Sequence, residues 1–372
     1  MKEKRLTFFH SVVFFSCLSS VIVSSSCSKA PIREQSHNPV DTTKTVSYEN
    51  GIFVINEGNY NWGNASVTYI ENKSNTLVQD IFRKSNNRSL GDVAESMKIA
   101  NNLGYLVINN SNRIEVVSLV DFKSVATISG FNAPRFLEIV DSTKAYVTNL
   151  QKDISIINLR TNTVSGSIKT TGWTENLIRY DHYMLVTSIG TFNDPSSKRR
   201  AQVYVIDTRT DKIVDSIQTG KEPIGIVTDK KQKVWVLCSG GYDNYETPSL
   251  LRINPELRRV EKTFTFSGTT EVPSRLCINA SGDTLYFIKH GVYQMPVTNT
   301  ALPAQPLIAA TGRLLYGLSI HPATGHIYVS DAKDYVQNGI VYQYTVKGAL
   351  VKQYEAGRIP GAFCFTQNSI KK

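Results

Sequence analysis

The alternation of apolar and polar residues along this chain predicts short β-strands joined by turns. An apolar run at residues 52–55 gives way to a polar segment rich in Asn and Gly, and β-branched and aromatic residues alternate again from Val67 to Tyr69. Short runs of this kind, bounded by Asn and Gly, are typical of β-strands. The segment between the two runs also carries Tyr60 and Trp62, two large aromatic residues that a simple turn does not require.

The same pattern returns along the rest of the chain with a period of about forty to fifty residues, and each period contains four predicted strands. A segment that often contains Gly or Pro precedes the first strand, a polar turn follows it, and three further strands complete the unit. This is the size of one blade of a β-propeller. The units start near Asp92, Pro134, Trp173, Pro223, Pro273 and Leu315.

The two ends of the chain together complete one further blade. Residues 52–82 supply three strands, and residues 357–365 repeat the pattern of a first strand and then stop. Closure by strands from both ends leaves no long exposed sheet edge. The prediction is therefore an all-β, seven-bladed β-propeller over residues 49–367, with four antiparallel strands per blade. The alternative fold, a β-sandwich, would not require the first and last segments to complement each other.

Residues 1–26 have the features of an export signal, with basic residues, an apolar run and then small residues. Polar residues interrupt the apolar run, which makes it a poor permanent membrane span. The small residues before Cys27 resemble a bacterial lipobox, although Ser24 stands where Leu is usual, and Cys27 is the predicted lipidation site. Residues 27–48 are predicted to form a flexible tether, and residues 368–372 a short tail. The alternative is an ordinary cleavable signal followed by an incidental cysteine.

Propeller geometry places two sets of loops around one mouth of the central channel, a concave surface suited to a ligand. These are the loops between second and third strands and the segments that lead into each first strand. Their amide and aromatic residues offer donors, acceptors and flat apolar surfaces to a large polar ligand. Asn and Gly are also good turn formers, which is the simpler explanation. The predicted ligand-binding residues are Asn59, Tyr60, Trp62, Asn110, Asn112, Arg135, Trp173, Phe192, Tyr242, Asn244, Tyr245 and Tyr335.

Charge and motifs narrow the function further. The formal net charge is +10, but the basic residues are dispersed and accompany no nucleic-acid-binding motif, so we expect no nucleic-acid partner.

Cys238, Cys277 and Cys364 match no zinc-site spacing and are predicted to be free thiols in the core, with one disulfide as the alternative. His290 lies in a loop predicted at the channel mouth, where it is expected to be a surface residue rather than a metal ligand. No catalytic motif is present, and we predict neither a catalytic residue nor a metal.

Three segments resemble a known family. They are Val54-Ile55-Asn56-Glu57-Gly58-Asn59, Asn64-Ala65-Ser66-Val67, and Val203-Tyr204-Val205-Ile206-Asp207-Thr208-Arg209-Thr210. The chain resembles YncE-like seven-bladed propellers and, more specifically, the Bacteroidetes lipoproteins that carry the DUF5074 propeller, over roughly residues 50–366. That group includes the BtuG-type surface proteins, which capture cobalamin and pass it to a TonB-dependent outer-membrane transporter.

The resemblance implies a non-enzymatic lipoprotein, anchored by lipid in the outer membrane and exposed at the cell surface. It would bind cobalamin or a related corrinoid as a ligand, with no cofactor of its own, and a TonB-dependent transporter would be its partner. The flat faces of the corrin would contact Tyr60, Trp62 or Tyr245, positions inferred from the loops that carry them. Two alternatives are a propeller enzyme of the lactonase or lyase type and a protein-interaction scaffold of a different nutrient-uptake system.

Overall fold

The computed structural model describes residues 47–151, 153–190, 201–241 and 246–366, which contain seven four-stranded antiparallel sheets. The predicted signal, Cys27 and nearly all of the predicted tether lie outside the described residues, as does the predicted tail. Among the described residues, no helix is long and apolar enough to cross a membrane. The predicted seven-bladed propeller is confirmed.

Each sheet forms one blade, in which the first strand named is the innermost and the last is the outermost. Blade 1 consists of β28 (Pro360–Phe365), β1 (Gly51–Asn56), β2 (Ser66–Glu71) and β3 (Leu77–Val78), and α1 (Ile81–Asn86) follows it. Blade 2 consists of β4 (Ala94–Ala100), β5 (Leu103–Ile108), β6 (Arg113–Ser118) and β7 (Ser124–Ser129). Blade 3 consists of β8 (Pro134–Ile139), β9 (Lys144–Asn149), β10 (Asp153–Asn158) and β11 (Thr163–Lys169).

The remaining four blades follow in chain order. Blade 4 consists of β12 (Trp173–Tyr180), β13 (Tyr183–Gly190), β14 (Gln202–Asp207) and β15 (Lys212–Gln218). Blade 5 consists of β16 (Pro223–Thr228), β17 (Val234–Cys238), β18 (Ser249–Asn254) and β19 (Arg259–Thr265). Blade 6 consists of β20 (Ser274–Ile278), β21 (Thr284–Ile288), β22 (Gly291–Pro296) and β23 (Ile308–Ala309). Blade 7 consists of β24 (Leu315–Ile320), β25 (Ile327–Asp331), β26 (Asn338–Tyr344) and β27 (Leu350–Arg358).

Two predicted strand boundaries need correction. Phe82 does not end a strand but lies in α1, because it and Ile81 are buried together in the apolar core between blades 1 and 2. Gly357 belongs to β27 rather than to the closing strand. Its N–H donates to Oδ1 of Asn56 at 3.0 Å, which fixes the end of β27 against blade 1, and the closing strand starts only at Pro360.

The core lies between neighbouring blades and explains the strand patterns. Middle strands pack on both faces and are therefore mostly buried, as in β17, where all five residues are apolar and buried. Outer strands cover a neighbour on one face only, so β19 alternates between exposed and partly buried residues along most of its length. Between blades 5 and 6, Trp235 packs with Phe287 and Tyr293, whose rings stack with centroids 5.5 Å apart.

The described chain begins in the core rather than in a tether. Tyr48 is buried, and its ring packs edge-on against Tyr69 and Phe122 with centroids 5.0 and 5.6 Å away. Its N–H donates to the carbonyl oxygen of Leu119 at 2.9 Å. Tyr48, placed by the sequence at the end of the tether, is therefore part of the propeller.

The three described cysteines are free thiols, which confirms that prediction. Cys238 is buried in β17, whereas Cys277 and Cys364 are partly buried on inner strands. Burial raises the pKa of the Cys238 and Cys364 thiols to about 12, so both stay protonated near neutral pH. They therefore serve as small apolar packing groups.

Closure of the ring joins the two ends of the described chain. Neighbouring inner strands contact each other all the way round, from β4 through β24 to β28 and back to β4. β28 pairs with β1, with Cys364 opposite Phe53. Just beyond β28, the Gly51 N–H donates to Oγ1 of Thr366 at 2.8 Å, and the Thr366 N–H donates to the Gly51 carbonyl at 3.0 Å.

Thr366→Val is expected to lower the free energy of unfolding by about 1–2 kcal/mol, because it leaves the buried Gly51 N–H without an acceptor. Urea denaturation followed by circular dichroism measures the change. Thr161→Val is the control, since its exposed hydroxyl bonds only to the hydroxyl of Thr163 and its loss should cost less than about 0.5 kcal/mol. Equal effects of the two substitutions would show that Thr366 does not hold the closure.

Candidate functional site

The corner formed by residues 56–59, at the end of β1, positions both parts of the candidate site, one inside the central channel and one at its mouth. Asn56 is buried and ties the corner to β27 through Gly357. Gly58 has φ +74°, and a Cβ there would lie 2.4 Å from a neighbouring side-chain oxygen, so the turn requires glycine. As a result Glu57 reaches into the central channel, while Asn59 starts the loop at the channel mouth.

Three loops of consecutive blades are joined into one surface, which we call the rim arc. It comprises residues 57–65 of blade 1, 109–112 of blade 2 and 332–337 of blade 7. Nδ2 of Asn59 donates to the Tyr335 carbonyl at 2.6 Å, and Nδ2 of Asn110 donates to Oδ1 of Asn61 at 3.0 Å. The Asp92 carboxylate accepts from Asn110 at 2.7 Å and from the Asn61 N–H at 2.8 Å. The amides therefore brace the loops against each other.

Aromatic rings project from this braced surface. Tyr60 is 67% exposed, Trp62 is 72% exposed and Tyr335 is 42% exposed. The adjacent Val336 is 61% exposed and extends the apolar surface. Large apolar side chains left in water on hydrogen-bonded loops are typical of a binding surface, because they offer contact area with little ordering cost.

The other predicted site residues are only partly brought together with these. Asn112 acts as a brace, since its Oδ1 accepts the Ala133 N–H at 2.7 Å. Arg135 lies inside the channel, and Trp173 is partly buried at the start of β12. Four further predicted residues lie outside the described residues: Phe192, Tyr242, Asn244 and Tyr245.

Inside the channel, next to its mouth, lies a cluster of charged and hydrogen-bonding side chains from six of the seven blades, which we call the channel network. Its members are Glu57, Glu95, Arg135, Glu175, Arg275 and Tyr316. In one half, Arg135 on β8 binds Glu175 on β12 through two hydrogen bonds of 2.9 and 2.6 Å and also binds Glu95 on β4. This half joins three consecutive inner strands by charge-assisted hydrogen bonds.

The other half of the channel network holds the corner residue Glu57. The Tyr316 hydroxyl donates to Glu57 at 2.9 Å, and Nη2 of Arg275 contacts the same carboxylate at 3.4 Å. Nε of Arg275 donates to the Tyr316 carbonyl at 3.0 Å, and its guanidinium lies 4.9 Å from the centroid of the Tyr316 ring. The Tyr335 ring packs edge-on against the Tyr316 ring, with centroids 5.8 Å apart. The channel network therefore contacts the rim arc directly.

Burial and neighbouring charges shift the titration of this cluster. Burial raises the pKa of the Glu95 carboxyl to about 7, although the Arg135 guanidinium lowers it. Burial lowers the pKa of Arg135, but the carboxylates of Glu175 and Glu95 more than offset this, and the pKa is raised overall. Burial also raises the pKa of the Tyr316 phenol above its usual range, and the Glu57 charge adds to that effect. Arg135 and Tyr316 thus stay protonated while Glu95 titrates near neutral pH.

Of these residues, only Arg135 was predicted from the sequence as a site residue, and the cluster was missed. The signal was available in the starts of the inner strands, where Glu95, Arg135, Glu175, Arg275 and Tyr316 all occupy the second or third position. Equivalent positions of repeated strands lie at the same height around the axis. Aligning the repeats on that position would have placed alternating acidic and basic residues in one layer.

The raised pKa of Glu95 predicts a measurable pH dependence of stability. Between its unfolded value near 4.5 and its folded value of about 7, the folded state retains a proton that the unfolded state releases, so the free energy of unfolding falls as pH rises. Glu95→Gln lacks this titration. Its free energy of unfolding should therefore rise by about 2 kcal/mol relative to that of the wild type as the pH increases from 5 to 8. Urea denaturation at both pH values measures the difference. A difference that stays constant, or that changes in the wild type's favour, would contradict the assignment.

In the channel network, each guanidinium group pairs with a carboxylate of the same network. The rim arc instead offers an apolar contact surface to a ligand. Within the described residues, no group of three or more His, Cys, Asp or Glu side chains is arranged to hold a metal ion. His290 is exposed in the turn between β21 and β22. The part of the site that exposes large apolar side chains to water is therefore the aromatic part of the rim arc.

Comparison with known proteins agrees with this fold. The model of the family described as a domain of unknown function, DUF5074, matches residues 50–365. A quinonprotein alcohol dehydrogenase-like protein from Bacteroides thetaiotaomicron VPI-5482 is 15% identical, with a TM-score of 0.66 over 87% of this chain and 79% of that chain. No curated protein matches the chain significantly.

Two further solved structures are similar. The dihydro-heme d1 dehydrogenase NirN, in complex with DHE, is 11% identical, with a TM-score of 0.59 over 89% of this chain and 78% of that chain. Kuenenia stuttgartiensis hydrazine synthase is 13% identical, with a TM-score of 0.56 over 72% of this chain and 88% of that chain. At these identities the similarity shows a shared propeller fold alone.

Proposed function

The chain belongs to the DUF5074 family, whose match spans the whole propeller, and on that premise we propose that it is a non-enzymatic binding protein for cobalamin or a related corrinoid. The single observation that carries the proposal is the row of exposed aromatic rings, Tyr60, Trp62 and Tyr335, on a surface whose loops are already fixed by hydrogen bonds. The resemblance to BtuG-type propellers supplies the ligand class.

The chemistry of the rim arc suits such a ligand. A corrin has broad apolar faces that would lie against Trp62 and Tyr60, and stacking on an aromatic ring contributes about 0.5–1.5 kcal/mol beyond area burial. Its peripheral amides would bond to backbone groups on the arc. Because the side-chain amides of Asn59 and Asn110 already hold the loops, binding would need little reorganisation of the surface.

The proposal extends to location and partner. Lipidation at Cys27 would anchor the propeller in the outer membrane, and a TonB-dependent transporter would receive the corrinoid from the rim arc. A ligand bound at the rim rather than deep in the channel would stay accessible to such a partner. Arg135 and Arg275 lie deeper, within the channel network, and would position the rim instead of contacting the ligand.

Calorimetric titration of the purified full chain with cyanocobalamin tests the proposal. We expect one equivalent to bind with measurable heat and a change in the corrinoid absorbance spectrum. No heat and no spectral change at micromolar protein would overturn it. A transporter that co-purifies equally with the wild type and with Trp62→Ala, in the absence of corrinoid binding, would favour the protein-interaction scaffold. Stoichiometric metal together with lactone turnover would favour the enzyme.

A further inference from the structure

A cavity of about 370 Å³ lies against the channel network, and we call it the chamber. Its walls include Leu318, Ser319 and Phe363, which follow the network positions along β24 and β28. The chamber therefore extends from the channel network along the channel, away from the rim arc. Neither Tyr60 nor Trp62 lines it, so it is separate from the proposed corrinoid surface.

The charged residues that line the chamber do not balance. They are Arg135, Glu175 and Arg275, with two positive charges against one negative charge. Glu175 uses both carboxylate oxygens on Arg135, so these two neutralise each other. Arg275 is the remaining charge of the lining, and the carboxylate that it contacts, Glu57, does not line the chamber.

Arg275 has unused hydrogen-bonding capacity. Its nearest carboxylate oxygen, on Glu57, is 3.4 Å from Nη2, and Nε donates to a backbone carbonyl at 3.0 Å. Nη1 donates to no group in the described part of the chain. A guanidinium carries five N–H donors in a planar fork that matches a carboxylate. Arg135, in contrast, donates from all three of its guanidinium nitrogens to two carboxylates.

The rest of the wall is amphipathic. Ser274 and Asn176 are the sequence neighbours of Arg275 and Glu175, and Ser319 lies further along β24. The apolar surface comes from Phe136, Ile224, Leu276, Leu318 and Phe363. The volume falls within the usual range for small-molecule sites, roughly 300–1,000 Å³. A wall with a guanidinium whose Nη1 is unbonded within the described residues and an apolar remainder fits a ligand with an anionic head and a compact apolar body.

We propose that the chamber binds a small organic monocarboxylate, whose carboxylate pairs with Arg275 and whose apolar body packs against Ile224, Leu276 and Phe363. Ser319 lies on the wall and limits the size of the body. The carboxylates of Glu57 and Glu95 oppose an anion but do not line the chamber. Burial keeps part of the Glu95 population protonated near neutral pH, which reduces that repulsion.

Titration of the full chain with benzoate, followed by calorimetry, tests the proposal. We expect saturable binding of one equivalent to the wild type, and at least a tenfold loss in Ser319→Leu, which fills the chamber without removing a charge. Ser216→Leu makes the same change on the exposed face of β15 and should bind as the wild type does. Thermal unfolding of all three proteins establishes that they are folded. Unchanged benzoate affinity in Ser319→Leu, or no saturable binding to the wild type, would overturn the proposal.

Two further comparisons isolate the anionic head and the guanidinium. Benzamide and benzylamine, which share the apolar body, should bind at least tenfold more weakly than benzoate. Arg275→Lys keeps the charge beside Glu57 but loses the planar fork, and benzoate should bind about tenfold more weakly to it. Equal affinity for benzoate and benzamide would overturn the assignment of an anionic site. Loss of corrinoid binding alone would leave this result unaffected, because the two sites share no residue.

Discussion

Simultaneous replacement of Tyr60 and Trp62 by alanine is expected to weaken cyanocobalamin binding at least about a hundredfold. Exposed Trp and Tyr residues at the centre of a contact surface commonly contribute 2 kcal/mol or more each, and a hundredfold change corresponds to about 2.7 kcal/mol. Both side chains are mainly in water, at 67% and 72% exposure, so their removal should leave the fold intact. Calorimetric titration gives the affinity, and thermal unfolding gives the stability.

The matched control removes exposed apolar side chains elsewhere. Val214 and Leu257, 46% and 57% exposed, lie on blades 4 and 5 away from the rim arc. The double variant Val214→Ala/Leu257→Ala should bind cyanocobalamin as the wild type does. Wild-type affinity in the Tyr60→Ala/Trp62→Ala protein would contradict the placement of the ligand on the rim arc, even if the corrinoid binds.

The second large effect is on stability. Arg135→Met should lower the free energy of unfolding by about 3–5 kcal/mol, because it leaves the buried carboxylates of Glu95 and Glu175 without their cation. Arg275 would remain in the channel network. It would not replace Arg135, because its carboxylate contact is with Glu57. The urea midpoint, monitored by circular dichroism, measures the change.

Arg83→Met provides the comparison for this substitution. Arg83 pairs with Asp80 in an exposed salt bridge, with 56% of the Arg side chain in contact with solvent, and exposed pairs of this kind contribute little. Its loss should change the free energy of unfolding by less than about 0.5 kcal/mol. If Arg135→Met costs no more than Arg83→Met, the channel network does not stabilise the inner strands.

The two parts of the site are physically linked. Glu57 belongs to the corner that begins the rim loop, and its carboxylate accepts from Tyr316 inside the channel. Tyr316 packs edge-on against Tyr335, whose carbonyl in turn accepts from Asn59. A closed circuit of contacts therefore runs from the channel network to the exposed rings. This arrangement explains how polar residues buried in the channel can fix an apolar surface at its mouth.

Much of the fold could be predicted because each blade repeats a local pattern. Strand alternation and the starts at Pro134 and Pro223 are local features, and closure follows from the complementary ends of the chain. The helix at Ile81 was missed because a short apolar pair reads equally well as a strand end. Only the surrounding core between two blades decides between these conformations.

The site was less accessible to sequence reasoning. The exposed loop aromatics were recognised, because Tyr60 and Trp62 have no role in a turn. The bracing role of the side-chain amides was not recognised. An Asn that braces a loop, such as Asn59, has the same sequence context as one that contacts a ligand. The contact of Arg275 with Glu57 joins residues 218 positions apart, and its geometry depends on how the ring closes. No local pattern encodes that distance.

Hydrogen exchange of the full chain, with and without saturating cyanocobalamin, is the most direct test that the rim arc is the corrinoid site. The backbone amides of residues 57–65 and 332–337 should exchange more slowly in the complex, because the ligand would cover the loops that carry the exposed rings. Peptides from β9 and β10 on blade 3, which lie away from the rim arc, should be unchanged. Corrinoid binding with protection confined to other blades, and none in residues 57–65, would contradict the assignment.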